Sequence, residues 1–330
     1  MASGIGDKRS EPSLAERWIS GVREFGRRRR GPITVVGSLV TAAILLFVLS
    51  GRRDEFEEAL SRASLWVLAV TTLLQIVALL SRSEAWHLSI EAAGGTVERR
   101  ALYRASSMGV LGSVINGQLG VAARIAALRR SSPEVSPQVS TLIAAEFPIL
   151  AVEAMLAAVA SVTLVGPLGL PWWFPIVALA VFGAASVGLR HLALAERELW
   201  RGLTVLRKLR GGSRVFAFVL VAVFAQIFRN WVLLDAVGVS ASLFDATAVL
   251  IAVVILGQLP VGPSVGAAAA VIILGSHGVA AAAAAGVLLT VTGTVGGLTF
   301  LAWSGADRLW SFGRRSWRRR ADGRAPRPGG

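Results

Sequence analysis

The sequence predicts an all-α fold, that of a polytopic integral membrane protein, from its composition and from the placement of its charges. Hydrophobic residues make up 54% of the 330 positions and charged residues 16%, whereas about 25% are charged in an ordinary soluble domain. The charges stand in short blocks between long apolar runs. Because a charge at the bilayer centre costs roughly 2.5–3.5 kcal/mol on insertion scales, this segregation indicates a chain solvated by lipid.

About six to seven full spans are predicted, since a helix needs about 20 apolar residues to cross the hydrocarbon core. The first apolar run is too long for a signal peptide and lacks a convincing small-residue cleavage site. Two further apolar stretches, 105–123 and 244–275, are interrupted by glycine or proline and are predicted to be re-entrant half-helices. The predicted full spans are 32–50, 64–80, 139–165, 171–189, 215–234 and 279–303.

The distribution of basic residues predicts that both termini are cytoplasmic. Of the 34 Lys and Arg residues, 30 fall in segments assigned to the inside and three in segments assigned to the outside, as the positive-inside rule requires. The transmembrane domain, 32–304, therefore lies between a basic cytoplasmic tail at 1–31 and a basic, disordered cytoplasmic tail at 305–330. The predicted location is the cytoplasmic membrane of a bacterium.

The two interrupted stretches are predicted to form an inverted repeat. Arg104 and Arg124 flank 105–123, so this stretch enters from the cytoplasm and returns to it, whereas 244–275 enters from the outer side by the same parity. Short, broken elements that face opposite leaflets are typical of inverted-repeat transporters. The alternative is that each stretch is a full span interrupted by glycine. The predicted helix breaks are at Gly117, Gly120, Pro260, Pro263 and Gly266.

Several function classes are excluded by composition. The chain has no cysteine and three scattered histidines, so neither a cofactor nor a metal site is predicted. The net charge of +14 does not indicate nucleic acid, because the basic residues adjoin apolar spans, where they contact anionic lipid headgroups. A membrane-embedded transferase that uses a polyprenyl-linked donor needs a clustered acid or base with a metal motif such as paired aspartates, and the sequence offers none. The protein is predicted not to be an enzyme.

Polar residues inside apolar runs are the candidate site. Glu146 and Glu153 lie at i and i+7 of one predicted span and therefore on one helix face, and intramembrane carboxylates usually face a cavity or a partner. They are predicted to contact a cationic or polar lipid headgroup, to form a proton-linked site, or to pair with Arg124 or Arg229. Arg229 itself is predicted to bind a lipid phosphate in a bidentate manner, to extend its charged end toward the membrane surface, or to pair with Asp235.

Two more polar residues lie inside the first re-entrant stretch. Asn116 and Gln118 are predicted either to satisfy backbone groups freed by the helix break or to line a groove. A glycine pattern near the C-terminus, Gly293–Gly297, is consistent with close helix packing.

At the two broken elements the sequence resembles the lysylphosphatidylglycerol synthase transmembrane-region family, whose members are flippase-like. The resemblance covers about 33–303 and begins at Trp86. The family's first element is similar to Pro-Gly-x-x-Gly-Glu with an Arg three residues on. Here 116–121 reads Asn-Gly-Gln-Leu-Gly-Val before Arg124, and Phe147 stands where the family's Glu-Arg pair has its Arg.

The second element resembles the family pattern Leu-Pro-x-x-Pro-Gly-Gly-x-Gly followed by Glu. Leu259, Pro260, Pro263 and Gly266 fit with one residue fewer, and alanines 267–270 occupy the place of the Glu. The chain thus resembles a divergent member that lacks two carboxylates and the synthase domain. The resemblance implies translocation of lipids across the bilayer, classically aminoacylated phospholipids, with membrane lipids as partners. The rival hypothesis is an accessory protein that scaffolds a lipid or glycan-lipid biosynthetic enzyme.

Overall fold

The computed structural model describes residues 39, 40, 43, 47, 50–115, 117–131, 137–193, 209–257 and 264–322, without the side chains of 114, 115, 117, 118, 186, 189–193, 209, 210 and 307–322. Within these ranges the regular structure is entirely helical, which confirms the predicted all-α class. Two short 3₁₀ turns, Ser161–Leu164 and Gly275–His277, accompany the α-helices. These are α1 Arg53–Arg62, α2 Leu65–Ala92, α3 Arg99–Ile115, α4 Gly117–Ser131, α5 Val139–Ala144, α6 Phe147–Ala160, α7 Phe174–Ala193, α8 Leu209–Ala236, α9 Leu243–Leu256, α10 Val265–Leu274 and α11 Val279–Asp322.

Four helical stretches in this part of the chain are long and apolar enough to cross a membrane. They are Leu65–Ala92, Val139–Leu164, Gly211–Ala236 and Val279–Ala306, and they contain the spans predicted at 64–80, 139–165, 215–234 and 279–303. The prediction at 171–189 corresponds to α7, whose apolar stretch Phe174–Ala185 is shorter. The span predicted at 32–50 lies almost entirely outside the described residues, so the total number of spans stays a prediction.

Two helices extend beyond their predicted ends. α2 begins at its N-cap Ser64, whose Oγ accepts a hydrogen bond from the Val67 amide at 3.4 Å, and it continues through the predicted cytoplasmic turn to Ala92. Gly94, with a φ of +88°, then turns the chain, a conformation that glycine adopts without steric cost. α11 continues to Asp322, into the segment that the sequence analysis assigned to the tail at 305–330, and the disorder of that tail stays a prediction. The segment 304–322 contains no proline to end the helix.

α3 and α4 form an antiparallel hairpin in place of the stretch predicted at 105–123. A Cβ atom built on Gly112 would lie 2.9 Å from the Leu119 carbonyl oxygen, and one built on Gly109 would lie 3.2 Å from the Gly120 oxygen. Glycines therefore allow the two backbones to approach closely, and the chain folds back here instead of continuing as one span. The chain therefore folds back within the stretch predicted at 105–123. Its entry into a membrane from the cytoplasmic side stays a prediction.

α9 and α10 are the second pair of short apolar helices, where two such pieces are predicted at 244–275. α9 begins with a capping box: Ser242 Oγ accepts from the Asp245 amide at 3.2 Å, and an Asp245 carboxylate oxygen accepts from the Ser242 amide at 2.8 Å. α10 crosses α11 where Gly266 meets Gly286. The predicted breaks at Pro260 and Pro263 lie outside the described residues, and the inverted relation of the two pairs stays a prediction.

The helices pack around two apolar clusters. One cluster joins the C-terminal part of α8 to α9, α10 and α11, with Leu233 and Leu274 fully buried. The other joins the C-terminal part of α2 to α3, α4, α6 and the start of α8, with Trp86 and Leu102 fully buried. The α8 positions that are buried in these clusters are Val215, Val219, Leu233 and Leu234. The polar residues Gln226, Arg229 and Asn230 lie between them, next to a smaller apolar group of Ala78, Ala222 and Ala225. The interior is therefore layered, with a polar layer between two apolar ones.

An aromatic cluster packs the hairpin against α2 and α11. The ring of Tyr103 lies 5.9 Å from that of Phe300 and 5.8 Å from that of Trp303, and its hydroxyl donates to Glu84, which also pairs with Arg99 at 3.7 Å. Burial, together with the hydrogen bond and charge of Glu84, raises the pKa of Tyr103 to about 12, above its ordinary value of about 10.

Tyr103 is the only tyrosine in the chain, so a spectrophotometric titration of tyrosinate reads this residue alone. We expect a midpoint near 12 in the folded protein in detergent. Glu84→Gln should lower the midpoint, but not to its ordinary value, because burial is the larger cause. The matched control Glu55→Gln, on α1, should leave it unchanged. A wild-type midpoint near 10 with an intact helical circular dichroism signal would contradict the buried, hydrogen-bonded hydroxyl.

Candidate functional site

A buried ion pair joins the hairpin to the interrupted helix α5–α6. Arg124 of α4 donates to Glu146, and the two residues are 7% and 5% exposed. The guanidinium carbon of Arg124 also lies 4.1 Å from the centre of a Trp86 ring, a distance at which a cation is attracted to the face of an aromatic ring. The sequence analysis left three roles open for Glu146, and the pairing with Arg124 is the one found.

Local sequence explains how both partners reach this position. The helix is interrupted at Ala145 and Glu146, and Pro148 stands in the first turn of α6, where its missing N–H leaves no helical bond unmade. Glu146 therefore lies at a helix end within an otherwise apolar span. On the other side, a Cβ atom on Gly109 would approach the Arg124 Cβ to 3.1 Å. The absence of that Cβ gives the Arg124 side chain its room between α3 and α4.

A second ion pair continues the first toward the surface of the bundle. Arg82 donates to Glu153 at 3.1 Å, with side chains 43% and 26% exposed. Arg82 precedes Trp86 by four residues on α2, and Glu153 of α6 follows Glu146 by seven. This pair therefore joins α2 to α6, whereas Arg124–Glu146 joins α4 to the start of α6. The expectation that Glu153 pairs with Arg124 or Arg229 is wrong, because Arg82, which sequence analysis did not single out, supplies the cation.

Arg229 lies in a separate network of neutral oxygen atoms. Its guanidinium donates to Gln75 Oε1 at 2.8 Å, to Gln226 Oε1 at 3.0 Å and to Thr292 Oγ1 at 3.1 Å, and also to the Leu289 carbonyl. Gln226 in turn donates to Gln75 at 2.8 Å. The network joins α2, α8 and α11 in the polar layer between the two apolar clusters, and Arg229 is 6% exposed.

The glycines of α11 make this network possible. A Cβ atom would lie 3.1 Å from Arg229 Nη2 if built on Gly293, 2.7 Å from Gln75 Cγ if built on Gly296, and 2.8 Å from Val110 Cγ1 if built on Gly297. The close packing predicted for the pattern Gly293–Gly297 is confirmed, and it involves three different partner helices.

Other predicted site residues lie elsewhere. Asp235 is exposed and forms no described contact with Arg229, so the predicted pairing of the two is wrong: the glutamines and Thr292 lie within reach inside the bundle. Asn230 is buried and donates to the Ala246 carbonyl at 3.4 Å. Asn116 lies outside the described residues, as does the side chain of Gln118.

The two polar sites do not share a cavity in this conformation. A cavity of about 350 Å³ lies between α6, α7 and α8, with a mostly apolar lining that includes Met155, Phe182 and Phe216 but no predicted site residue. Arg124 and Glu146 occupy each other, and Arg229 is enclosed by its oxygen ligands. Each polar site is therefore closed.

Sequence reasoning missed Arg82, Gln75 and Gln226. The signal for the glutamines was present, because each is an isolated polar residue inside an apolar run.

No group of three or more His, Cys, Asp or Glu residues suited to a metal occurs in the part of the chain that the structure describes. Comparison of the chain with protein-family models, curated proteins and solved structures finds no match. Function is therefore argued from the polar residues themselves.

Proposed function

We propose that this protein is a flippase-like translocator that moves a lipid or lipid-linked polar headgroup across the cytoplasmic membrane. The observation that carries the proposal is the Arg124–Glu146 pair, which is buried between a helical hairpin and an interrupted helix that is long and apolar enough to cross a membrane. Charged pairs in such positions are costly and mark substrate pathways in membrane proteins. The same proposal includes that the chain is a divergent member of the lysylphosphatidylglycerol synthase transmembrane-region family, which its sequence resembles.

In the proposed mechanism, the ion pair is a gate that a headgroup opens. An arginine forms a planar, bidentate pair with phosphate as readily as with carboxylate, so a phosphate group competes with Glu146 for Arg124. Once Glu146 is displaced, the α3–α4 hairpin loses one of its polar attachments to α6. The headgroup then passes between the hairpin and the span while its acyl chains stay in the bilayer.

The partly exposed pair is the proposed entrance to this path. Arg82 and Glu153 carry opposite charges, and parts of both side chains are accessible. Arg82 lies one helical turn before Trp86, whose ring the Arg124 guanidinium contacts, and Glu153 lies two turns after Glu146. A phosphate arriving from the membrane surface therefore meets Arg82 before Arg124. Six or seven spans, an inverted repeat and cytoplasmic termini complete the proposed arrangement.

An accessory role is the second candidate, and one observation favours it. The charges of the candidate site are satisfied internally, and the cavity found among the described residues contains none of them. A protein that scaffolds a lipid or glycan-lipid enzyme needs no open path for a headgroup. Its charged pairs then hold helices together.

Lipid flipping in proteoliposomes separates the two candidates. Phospholipids labelled on an acyl chain are reconstituted with the wild type, with Glu146→Gln and with the matched surface control Glu57→Gln. The proposal expects wild type and control to flip label at least tenfold faster than empty liposomes. In both proteins the Glu146 carboxylate returns to Arg124 and releases the phosphate, so that the cycle repeats. Glu146→Gln should lose most of that rate. Equal rates for all three proteins and empty liposomes would favour the accessory role.

A further inference from the structure

The polar interior carries one positive charge that no described residue neutralises, and this charge bears on the kind of headgroup. Three charged side chains are buried in the described ranges: Arg124, Glu146 and Arg229. Arg124 and Glu146 neutralise each other, as do the partly exposed Arg82 and Glu153. Arg229 is left over, since its described hydrogen-bond acceptors are all neutral oxygens.

We infer that the headgroup handled by this protein is anionic, a phosphodiester monoanion with no compensating amine, and that Arg229 is the group that selects it. The inference rests on the proposed function and names its substrate class. The family resemblance implies instead aminoacylated phospholipids, whose added amines oppose the phosphate charge. The uncompensated guanidinium disfavours such a cationic headgroup.

The cost of burying Arg229 supports a ligand role over a purely structural one. Guanidinium stays charged in proteins, and an ion removed from water without a counter-ion costs several kcal/mol even after relaxation. Joining α2, α8 and α11 does not need that charge, because Gln75, Gln226 and Thr292 are able to form neutral hydrogen bonds between the same helices.

The geometry around Arg229 leaves capacity for an anion. Its Nε–H is buried and has no partner among the described residues, whereas both Nη atoms donate hydrogen bonds to oxygen acceptors. Nε and one Nη form the edge of the fork that binds phosphate in a bidentate manner. Gln75 and Gln226 are able to turn their amide N–H groups toward a phosphate oxygen, since a carboxamide carries both donors and acceptors. The site therefore changes from a buried cation held by neutral oxygens to an anion clamp without a new residue.

Lipid retention measured by native mass spectrometry tests the inference independently of transport. The purified full chain is exchanged into micelles with equal amounts of phosphatidylglycerol, phosphatidylethanolamine and lysyl-phosphatidylglycerol of identical acyl chains. We expect the wild type to retain phosphatidylglycerol roughly tenfold over phosphatidylethanolamine, the scale of one charge-assisted hydrogen bond, and lysyl-phosphatidylglycerol least. Arg229→Gln should abolish the preference, and Arg229→Lys should keep part of it. Arg53→Gln, an equal charge change on exposed α1, should retain it fully.

The outcomes separate this inference from the proposed function. Equal retention of the three lipids by the wild type, or an unchanged preference in folded Arg229→Gln, would overturn the anionic selection whatever the flipping assay gives. A preference that depends on Arg229 in a protein that flips no lipid would sustain the selection and remove the translocator role. If millimolar inorganic phosphate displaces phosphatidylglycerol, the site binds free anions and the lipid class is wrong. If Arg229→Gln does not fold, Arg229→Lys is measured in its place. A smaller preference for phosphatidylglycerol than that of Arg53→Gln would support the bidentate clamp, and a preference equal to that of Arg53→Gln would contradict it.

Discussion

Replacing Glu146 with glutamine is expected to lower the free energy of unfolding by about 3–5 kcal/mol, the usual effect of removing one partner of a buried ion pair. The substitution keeps the volume of the side chain and one acceptor oxygen, so no cavity is created. The loss comes from leaving the Arg124 guanidinium charged and 7% exposed, with only the Trp86 ring and a neutral amide against it. Reversible unfolding in mixed micelles with increasing dodecyl sulfate, followed by circular dichroism, measures the change.

Two further variants show whether the lost free energy of unfolding comes from leaving a buried charge without its partner. Glu57→Gln breaks an ion pair whose side chains are 80% and 59% exposed, and it should change the stability by no more than about 0.5 kcal/mol. The double substitution Arg124→Met with Glu146→Leu removes both charges, and it should recover most of the stability, because apolar replacement of a buried pair is often neutral or stabilising. Equal losses for Glu146→Gln and the double variant would indicate that packing, and not charge, holds this contact.

The same double variant divides structure from transport. A folded protein without the Arg124–Glu146 pair retains a scaffold but has no gate for a phosphate. Under the translocator proposal it should therefore flip no lipid despite its stability. A stable double variant that flips lipid like the wild type would remove the ion pair from the mechanism.

The spans were predictable from sequence because the bilayer imposes a length and a composition. A run such as 215–234 needs only its apolar residues to be recognised, and α8 contains it. That the chain folds back within 105–123 was predictable from Arg104 and Arg124, because two flanking arginines favour the same side of a membrane for both ends. Both arguments use local sequence and the physics of the membrane, with no knowledge of which helices are neighbours.

The partners of the charged residues were not predictable, because they depend on which helices meet. Glu153 finds Arg82 across 71 positions of sequence, and Arg229 finds Gln75 across 154. The sequence analysis proposed Asp235 for Arg229 because the two are near each other along the chain. Asp235 instead lies at the exposed end of α8, whereas Gln75 faces Arg229 in the interior. An i to i+7 relation also assumes a continuous helix, and this span is interrupted at Glu146, one of the two residues compared.

The other large effect is expected at the crossing of α10 and α11. A Cβ atom on Gly286 would overlap the backbone N and Cα atoms of Ala267, and these atoms cannot turn away as a flexible side chain does. Gly286→Ala is therefore expected to force the helices apart and to cost about 3 kcal/mol, the upper end of what overpacking usually costs. The same unfolding measurement in mixed micelles gives the value. Gly266→Ala should act in the same direction, since its Cβ would lie 2.6 Å from the Gly286 carbonyl oxygen.

Gly183→Ala, in α7, is the matched control for this crossing. It adds the same methyl group to a helix of the same bundle, but no atom lies within 4 Å of the new Cβ. Alanine is favoured over glycine in a helix by about 0.5–1 kcal/mol, so this variant should be as stable as the wild type or more so. Opposite signs for the two substitutions place the effect in the contact with Ala267. A Gly286→Ala protein as stable as Gly183→Ala would mean that α10 and α11 do not touch there, and the packing of α10 against the last span would have to be redrawn.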